Sequence, residues 1–382
     1  MRGVSEREKH LPNFTLPELL RIMHEVKGII SLSAGEPDFS TPKPLLRYGA
    51  SIIHKSTHYT PTQGLKELRE AICKKLKREN KINASPENIV VTTGSQEAIF
   101  ASLLTTTDPK SQVLIPNPGY LAYLPAIELS DGKPVSYKLE EKNNFQPNPD
   151  EIKKLANRKT KAIIINSPSN PTGQVYSRKL LEDIADIARE KNLYIFSDEA
   201  YEKLIYDDEK HLSIGSLNGM KNYVLSLYSF SKSYAMCGFR LGYIVVPKNL
   251  SEPIIESSHF LTISPPHVSQ LMAVKALSLS DRHIKKMVRA YNKRRKYLVK
   301  KLNEMNLITR EPKGAFYAFS NIKNVTKKKS YDFSQGLLKK ARVAVVPGTE
   351  FGKYGEGYIR FSYATKLFLI KKALERIERY LR

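Results

Sequence analysis

An alternation of short apolar segments with amphipathic ones, between residues 89 and 279, constrains the fold more than any other feature. The apolar segments are rich in β-branched and aromatic residues, which is typical of buried strands. The intervening segments repeat apolar residues at helical spacing, most clearly over 95–106, 178–191 and 268–279. We predict strands at 89–93, 112–115, 134–139, 162–166, 193–197, 223–228 and 241–246. This alternation favours an α/β fold, a three-layer α/β/α sandwich around a mostly parallel seven-stranded sheet.

The chain changes character after residue 280, where the pattern predicts a smaller α+β domain. Its predicted elements are a long basic helix at 281–302, short strands at 315–319, 343–346 and 358–362, and a closing helix at 366–381. Nearer the N-terminus, the sequence predicts mostly loop and short helix at 11–39 and an amphipathic helix at 65–80. We expect a large domain at 41–280 and a small domain at 281–382 that also includes the N-terminal segment 1–40.

The composition adds an unusual net charge of +24, from 62 lysine and arginine residues against 38 aspartate and glutamate residues. Residues 281–302 hold ten of the basic residues and one acidic residue, and a lysine run follows at 327–329. Such a balance brings nucleic-acid-binding proteins into consideration. Apolar residues recur at helical spacing through 284–298, however, which predicts an amphipathic helix with a solvated basic face. We expect no nucleic-acid partner, because no helix-turn-helix, zinc-ligand or RNA-binding aromatic motif accompanies the charge.

Hydropathy and cysteine usage bear on the location of the protein. No apolar run approaches the roughly 18 residues that a membrane span requires. The two cysteines, Cys73 and Cys237, exclude a disulfide framework and suit a reducing compartment. We therefore expect a cytoplasmic protein without membrane contact, in which Cys237 has a packing role.

The clearest chemical motif is the segment 229–243, SFSKSYAMCGFRLGY, directly after the predicted strand 223–228. It places Lys232 at the carboxyl end of a strand, where open α/β sheets bind their ligands. Ser229 lies three residues before this lysine and Arg240 eight residues after it. An amine nucleophile beside an anion-binding arginine suits a phosphorylated aldehyde. An isolated Ser-x-x-Lys match, by contrast, is usually a solvated lysine in a loop.

This segment resembles the lysine signature of class I aminotransferases, in the pyridoxal-phosphate-dependent aspartate aminotransferase superfamily (fold type I). A second match is the Pro-Gly-x-x-Phe-Gly turn at 347–352, and the resemblance runs from about Ser31 to Ala364. It implies that Lys232 binds the cofactor covalently and moves protons as general base and then general acid. It also implies that Ser229 and Arg240 bind the cofactor phosphate.

A second anion site is predicted at 92–98, TTGSQEA, where a strand ends in a glycine and a helix begins. Backbone N–H groups at a helix N-terminus attract phosphate. We therefore expect Gly94, Ser95 and Gln96 to complete the phosphate cradle. On its own, a glycine turn with a serine cap is also common without any ligand.

The resemblance implies further cofactor contacts at other strand ends. Tyr120, in NPGY, would stack on the cofactor ring. Asn170, in the SPSNPTG turn, and Tyr201 would donate hydrogen bonds to the phenolate oxygen of the cofactor. Asp198 would face the ring nitrogen and keep it protonated, which makes the ring an electron sink. Core tyrosines and an exposed carboxylate cap are the alternatives.

Substrate contacts are implied at two more positions. Arg360 lies in the otherwise apolar segment GYIRFS, where an unpaired guanidinium would be costly to bury. Its implied partner is the substrate α-carboxylate, gripped by two parallel hydrogen bonds, and the alternative is a structural ion pair. Gly35, in the GEPDF turn, is implied to contact the same carboxylate through its backbone, and Asn170 to line the same site.

Tyr59, in a Tyr-x-x-x-x-Gly segment, is implied to reach the cofactor phosphate of a neighbouring subunit. A homodimer with shared active sites is therefore expected, unless Tyr59 is an ordinary buried loop tyrosine.

Together these residues imply ping-pong transamination between an L-amino acid and a 2-oxo acid, with pyridoxal 5'-phosphate as cofactor. Lys232, Asp198 and Tyr201 are the predicted catalytic residues, and no metal is expected. Carbon–sulfur lyases and aminocyclopropane-carboxylate synthases share the scaffold and are alternatives. A basic nucleic-acid-binding protein with an inactive fold is the alternative from another class.

Gln96 also bears on the substrate. Aspartate-specific relatives carry a lysine at this position, where it meets the distal carboxylate, whereas a neutral amide brings no charge. We therefore predict that aspartate is not the best amino donor. Aromatic or medium-sized apolar amino acids, or glutamate in an extended pose, are expected instead, with 2-oxoglutarate as acceptor. Preference for aspartate would need another cation, such as Arg21 or Lys27.

Overall fold

The computed structural model describes residues 3–5, 8, 9, 11 and 28–382. Most of the predicted loop and short helix at 11–39 falls before residue 28, and that part of the prediction lies outside the described residues. Arg21 and Lys27 lie outside them as well. The first described strand is β1, Ile30–Ser31.

The central sheet confirms the predicted seven strands. Its members are β2 Ile89–Thr92, β3 Gln112–Asn117, β4 Lys133–Lys138, β5 Thr160–Asn166, β6 Tyr194–Asp198, β7 Val224–Ser229 and β8 Gly242–Val245. Their spatial order is β2-β8-β7-β6-β5-β3-β4. Strand β8 runs opposite to the other six, so the two pairs it forms are antiparallel and the remaining four pairs are parallel; the sheet is mostly parallel, as predicted.

Helices cover both faces of this sheet, and the last three helices of the chain pack against the C-terminal strands. Their bounds are α1 Lys43–Ile52, α2 Lys66–Lys75, α3 Gly94–Thr106, α4 Tyr123–Leu129, α5 Pro149–Leu155, α6 Arg178–Lys191, α7 Phe230–Ser233, α8 Lys248–Thr262, α9 His267–Ser278, α10 Arg282–Glu304, α11 Ser330–Gly336 and α12 Leu367–Leu381. The predicted helix at 65–80 becomes α2 followed by a π-helical turn at Leu76–Asn80. None of the helices in the described ranges is both long and apolar enough to cross a membrane.

Strand β5 shows why the sheet lies in the middle layer. Successive side chains of a strand point to opposite faces. Ile163 and Ile165 pack in one cluster with α5 and α6, whereas Ala162 and Ile164 pack in another with α3, α4 and α8. Both faces of the strand are apolar because both are covered, which is typical of parallel sheets. The three-layer α/β/α sandwich follows.

A second, antiparallel sheet lies in the C-terminal part of the chain. It contains β9 Ile308–Thr309, β10 Tyr317–Asn321, β12 Val346–Pro347 and β13 Tyr358–Ser362, in the order β12-β13-β10-β9. Strand β11, Val343–Ala344, instead pairs in parallel with β1. The predicted single strand at 343–346 was therefore wrong, because it is divided between two sheets.

The basic helix α10 corrects a second expectation. Its apolar face is buried as predicted, but Arg294 and Arg295 are buried too. Arg294 grips both carboxylate oxygens of Asp38, at 2.8 and 3.0 Å. Arg295 is fully buried and pairs with Asp207 and with Glu311. Each guanidinium is thus buried with carboxylate partners, which offset the loss of water. These two charges join parts of the fold and do not belong to a solvated basic face.

Candidate active site

A cavity of about 750 Å³ lies at the carboxyl edge of the central sheet. The last residues of β5, β6 and β7, which are Asn166, Asp198 and Ser229, all line it. Arg360 of β13 and Gly35 enter from the other side. Parallel strands bring their carboxyl ends to one edge, so side chains that are distant in sequence meet there.

Lys232 lies in the short helix α7, directly after β7. Its Nζ donates a hydrogen bond to the Gly35 carbonyl oxygen at 2.7 Å. The same nitrogen lies 5.9 Å from the centre of the Tyr201 ring. The amine is therefore inside the cavity, held by backbone that comes from the other side of the site.

One end of the cavity collects donors suited to an anion. Gly94 adopts φ +78°, and a Cβ there would lie 2.7 Å from Arg240 Nη2, so any other residue would be strained and would displace the guanidinium. Helix α3 begins at Gly94, and the Thr93 side chain does not cap it. Its first N–H groups have no carbonyl partner within the helix, and its first three residues line the cavity. Ser229 and Arg240 line the same cavity.

Asp198 is 5% exposed and accepts two hydrogen bonds. Tyr123 donates its hydroxyl to Oδ2 at 2.6 Å, and the Ala200 N–H donates to Oδ1 at 3.2 Å. Burial raises the pKa of the Asp198 carboxyl, while these two hydrogen bonds lower it. The carboxylate is thus oriented by two donors in a poorly solvated place.

Tyr201 and Asn170 line the cavity as predicted. The Tyr201 hydroxyl lies 2.9 Å from the hydroxyl of Tyr317. Burial raises the pKa of Tyr201 well above its usual value, so the hydroxyl keeps its proton and can donate it. Asn170 uses its side-chain oxygen to accept from Arg360 at 3.0 Å, which leaves its amide N–H groups as the donors.

Arg360 is 3% exposed and has no carboxylate partner among its hydrogen bonds within the described chain. Besides Asn170, its guanidinium donates to the Ser33 carbonyl oxygen at 2.7 Å, and its Nε has no partner. The rings of Tyr317 and Phe351 lie 4.3 and 4.9 Å from its Cζ. Burial lowers the pKa of the guanidinium, so a carboxylate brought into the cavity would meet a poorly compensated positive charge.

Tyr120 is a wall of the cavity rather than a fully buried core residue. Its hydroxyl donates to Gln96 Oε1 at 3.1 Å, and burial raises its pKa to about 12. Its ring meets Tyr123 edge to face, with centroids 5.4 Å apart. A flat aromatic surface therefore lies beside the Asp198 carboxylate.

The structure brings together twelve of the predicted site residues in this cavity. They are Gly35, Gly94, Ser95, Gln96, Tyr120 and Asn170, with Asp198, Tyr201, Ser229, Lys232, Arg240 and Arg360. Tyr59 is not among the lining residues and is 80% exposed. Two tyrosines in or beside the site were missed: Tyr123, which begins α4 three residues after Tyr120, and Tyr317, which lies in a predicted strand near Arg360. Neither carries a motif of its own.

Glu199, Glu202 and His211 form a separate polar cluster behind the site, with possible ligand atoms within 4.8 Å of one another. Glu199 accepts from Ser197, Ser213 and Tyr228, and Glu202 from Lys75 and Asn80. These donors, one of them a cation, compensate the carboxylates without a metal. Asp198 and Tyr201 belong to the same segment, so the cluster anchors the chain that carries them.

The donor set fits pyridoxal phosphate, the cofactor implied by the resemblance. The glycine-lined helix N-terminus and Arg240 suit its phosphate, and Tyr120 offers a flat surface to its ring. Asp198 suits a protonated ring nitrogen, and Lys232 suits the aldehyde. The partnerless Nε of buried Arg360 suits the carboxylate of an amino acid bound beside the ring.

Comparisons with known proteins agree with this geometry. The family model described as aminotransferase class I and II matches residues 27–377. An aspartate aminotransferase of Pyrococcus abyssi is 45% identical and aligns over 96% of this chain and 95% of its own length. An aromatic-amino-acid aminotransferase of Thermococcus litoralis is 42% identical, covering 100% of this chain and 98% of its own. The crystal structure of an aromatic aminotransferase from Pyrococcus horikoshii superposes with a TM-score of 0.90 at 44% identity, covering 94% and 98% of the two chains.

The raised pKa of Asp198 gives a testable effect on stability. As pH rises, the unfolded chain ionises this carboxyl before the folded chain does. The free energy of unfolding of the cofactor-free protein therefore falls between the pKa of the carboxyl in the unfolded chain and its higher pKa in the folded chain. Asp198→Asn removes this cost and keeps one acceptor oxygen, which can serve Tyr123 while the longer 3.2 Å hydrogen bond from the Ala200 N–H is lost. We expect the cofactor-free variant to melt several degrees above the cofactor-free wild type near neutral pH, and the gap to close near pH 4, measured by differential scanning fluorimetry. A wild type that is equally or more stable throughout would contradict this role of burial.

Proposed function

The chain belongs to the class I and II aminotransferase family, and on that premise we propose roles for its cavity residues in pyridoxal-phosphate-dependent transamination. It is an aminotransferase that acts on amino acids and 2-oxo acids. The observation that supports the roles most strongly is the meeting of Lys232, Asp198 and Arg360 in one cavity. Each of these side chains matches one need of the reaction.

When bound, pyridoxal phosphate supplies an aldehyde that exchanges amines and a ring that withdraws electrons from the substrate α-carbon. Lys232 is the amine that would hold this aldehyde between turnovers. When a substrate amine takes its place, Lys232 Nζ would be free to act as the general base and then the general acid that moves the α-proton. Its position at the end of β7, inside the cavity, suits this shuttle.

Asp198 and Tyr201 tune the ring from two sides. The Asp198 carboxylate, oriented by Tyr123 and the Ala200 N–H, would pair with the protonated ring nitrogen. Tyr201 and the amide of Asn170 would donate to the phenolate oxygen. The cavity-lining residues Ser229, Arg240 and Gly94 through Gln96 would hold the phosphate, and Tyr120 would cover one ring face.

Arg360 binds the substrate α-carboxylate, and Gly35 contributes its backbone to the same group. The guanidinium is already in place, buried between aromatic rings and pinned by Asn170 and Ser33. A carboxylate that arrives there would add a charge-assisted, two-point contact to these weak neutral ones, using the Nε that has no partner.

The proposed chemistry predicts a half-reaction that stops. Enzyme loaded with cofactor and given an amino acid alone should release one equivalent of 2-oxo acid per site and turn over steadily only after a second 2-oxo acid is added. Product measured by coupled assay checks this, with Lys232→Ala as the inactive control. Continuous release of product from the amino acid alone would instead indicate a lyase, one of the alternatives left open by the sequence.

The two-point grip of Arg360 predicts a specific defect in Arg360→Lys. A lysine offers a single point contact, and loss of one charge-assisted hydrogen bond should lower kcat/KM for amino acids by roughly ten- to a hundredfold. Amines without a carboxylate should react with unchanged kcat/KM. Equal losses for both substrate classes would assign Arg360 a purely structural role.

Donor preference is proposed from Gln96, whose side-chain oxygen is already engaged by Tyr120. A neutral amide cannot compensate a second carboxylate, so we expect aromatic or medium-sized apolar amino acids, or extended glutamate, to exceed aspartate in kcat/KM. 2-Oxoglutarate is the proposed acceptor. A screen of the standard amino acids, with Gln96→Lys as the variant that should favour aspartate, tests this. Aspartate leading the wild-type screen by about tenfold would overturn the argument.

We further propose a homodimer in which Tyr59 completes the partner's phosphate site. Tyr59 is 80% exposed and Phe260 is 88% exposed, and the two segments are joined by a Thr60 N–H to Ser264 Oγ hydrogen bond of 3.4 Å. Ile263 between them adopts φ +65°, a strained conformation for a β-branched residue that often marks functional loops. This apolar, strained loop suits contact with a second copy.

Sedimentation of the purified protein tests the dimer. A species of twice the chain mass is expected, and Phe260→Asp should shift it toward a monomer with weaker cofactor binding. Phe368→Asp, at another exposed phenylalanine on α12, is the matched control and should leave the dimer intact. A wild type that sediments as a monomer would contradict the proposal.

We also propose two domains for this chain and a location in the cell. Residues 41–280 would form the cofactor-binding domain. Residues 281–382 and the N-terminal segment 1–40 would form the small domain, and the pairing of β1 with β11 supports placing the N-terminal segment there. The two free thiols, Cys73 and Cys237, support a cytoplasmic location.

A further inference from the structure

Tyr317 occupies a junction between the two ends of the site. It is 1% exposed, lies on β10 and lines the cavity. Its hydroxyl lies 2.9 Å from the Tyr201 hydroxyl, and its ring lies 4.3 Å from Arg360 Cζ. One side chain thus contacts the proposed donor to the cofactor oxygen and the proposed clamp for the substrate carboxylate.

The sheet fixes this arrangement. Strands β10 and β13 are antiparallel, with Phe319 opposite Arg360 and Tyr317 opposite Ser362. Residues two apart on a strand share a face, so the Tyr317 ring and the Arg360 guanidinium lie on the same side of the sheet and meet diagonally. The ring is therefore held by the backbone of a regular sheet and not by a loop.

The hydroxyl pair has a defined direction once the cofactor is bound. Each tyrosine carries a single hydroxyl proton. If Tyr201 gives its proton to the phenolate oxygen of the cofactor, the contact between the two hydroxyls must be made by the proton of Tyr317. The result is a donor chain from Tyr317 to Tyr201 to the cofactor, in which each bond polarises the next.

We propose that Tyr317 is a positioning residue that acts through Tyr201, directing the Tyr201 proton at the cofactor oxygen, while its ring supports Arg360. The proposal rests on the proposed function, because it assumes pyridoxal phosphate in this cavity. The Tyr317 side chain would thus make two contributions: its hydroxyl would act on the cofactor through Tyr201, and its ring would act on the substrate through Arg360.

Two substitutions separate these contributions. Tyr317→Phe keeps the ring beside Arg360 and removes the hydroxyl, whereas Tyr317→Leu removes both. Tyr201→Phe removes the residue through which Tyr317 is proposed to act. Tyr363→Phe is the matched control, since Tyr363 is fully buried, its hydroxyl reaches the Ala315 carbonyl oxygen at 3.4 Å, and it is not among the cavity-lining residues.

The first readout is the pH midpoint of the visible absorbance change of the holoenzyme, which does not depend on turnover. A weaker donor leaves more negative charge on the cofactor oxygen, and that charge holds the neighbouring proton on the lysine nitrogen more tightly. Tyr317→Phe should therefore move the midpoint to higher pH, in the same direction as Tyr201→Phe but by less. In the double variant Tyr317→Phe/Tyr201→Phe, the midpoint should match that of Tyr201→Phe.

The second readout is steady-state kinetics with an amino-acid donor. Tyr317→Phe should lower kcat by about two- to tenfold, the usual effect of one neutral hydrogen bond, with KM unchanged. Tyr317→Leu should raise KM as well, because the Arg360 support is lost. In the Tyr201→Phe background, Tyr317→Phe should add less than about a twofold change.

The outcomes distinguish the two levels of the proposal. Wild-type protein that takes up no pyridoxal phosphate would defeat the proposed function itself. A normal holoenzyme in which Tyr317→Phe moves neither midpoint nor kcat, or in which its effects add fully to those of Tyr201→Phe, would overturn the positioning role alone. An equal effect of Tyr363→Phe would do the same, since it would show a general response to lost buried hydroxyls.

Discussion

The structure depends on the cost of burying charge in one cavity. Arg360 and Asp198 are both almost fully removed from water, at 3% and 5% exposure, and burial disfavours the charged form of each. Neutral donors and acceptors hold them in place without neutralising them: Tyr123 for the carboxylate, Asn170 and the Ser33 carbonyl for the guanidinium. Burying these uncompensated charges lowers the free energy of unfolding of the empty protein. Ligands of opposite charge relieve that cost when they bind, so it contributes to the binding free energy of the cofactor and substrate.

The fold makes this arrangement possible by joining two sheets at one edge. The central sheet delivers the lysine, the aspartate and the phosphate cradle from its strand ends, where parallel topology collects them. The second sheet contributes Arg360 and Tyr317 from paired antiparallel strands, so these two side chains are positioned by regular structure. The hydrogen bond from Arg360 to Asn170 links the second sheet to the loop after β5, and the bond from Lys232 to the Gly35 carbonyl links the end of β7 to the segment after β1. The proposed mechanism therefore depends on how closely the two sheets pack.

Much of this could be predicted from sequence, and the exceptions have physical reasons. The seven strands were predicted because buried parallel strands are apolar on both faces, and Lys232, Asn170 and Arg360 because they lie in motifs. Tyr123 and Tyr317 were missed because buried tyrosines are common, and their importance arises only when folding brings a partner hydroxyl or carboxylate within reach. Arg294 and Arg295 were assigned to a solvated face because their partners, Asp38 and Asp207, are distant in sequence. The division of 343–346 between two sheets likewise depends on β1, far along the chain.

All of these roles require that the cavity hold pyridoxal phosphate through Lys232. Purified protein can be loaded with pyridoxal phosphate and reduced with borohydride, which makes the lysine bond permanent, and the added mass can then be located by peptide mass spectrometry. We expect one modified residue per chain, Lys232, and loss of the modification when an excess of amino-acid substrate is added before reduction. Modification of other lysines in preference to Lys232, or none at all in protein that has been shown to fold, would contradict this expectation.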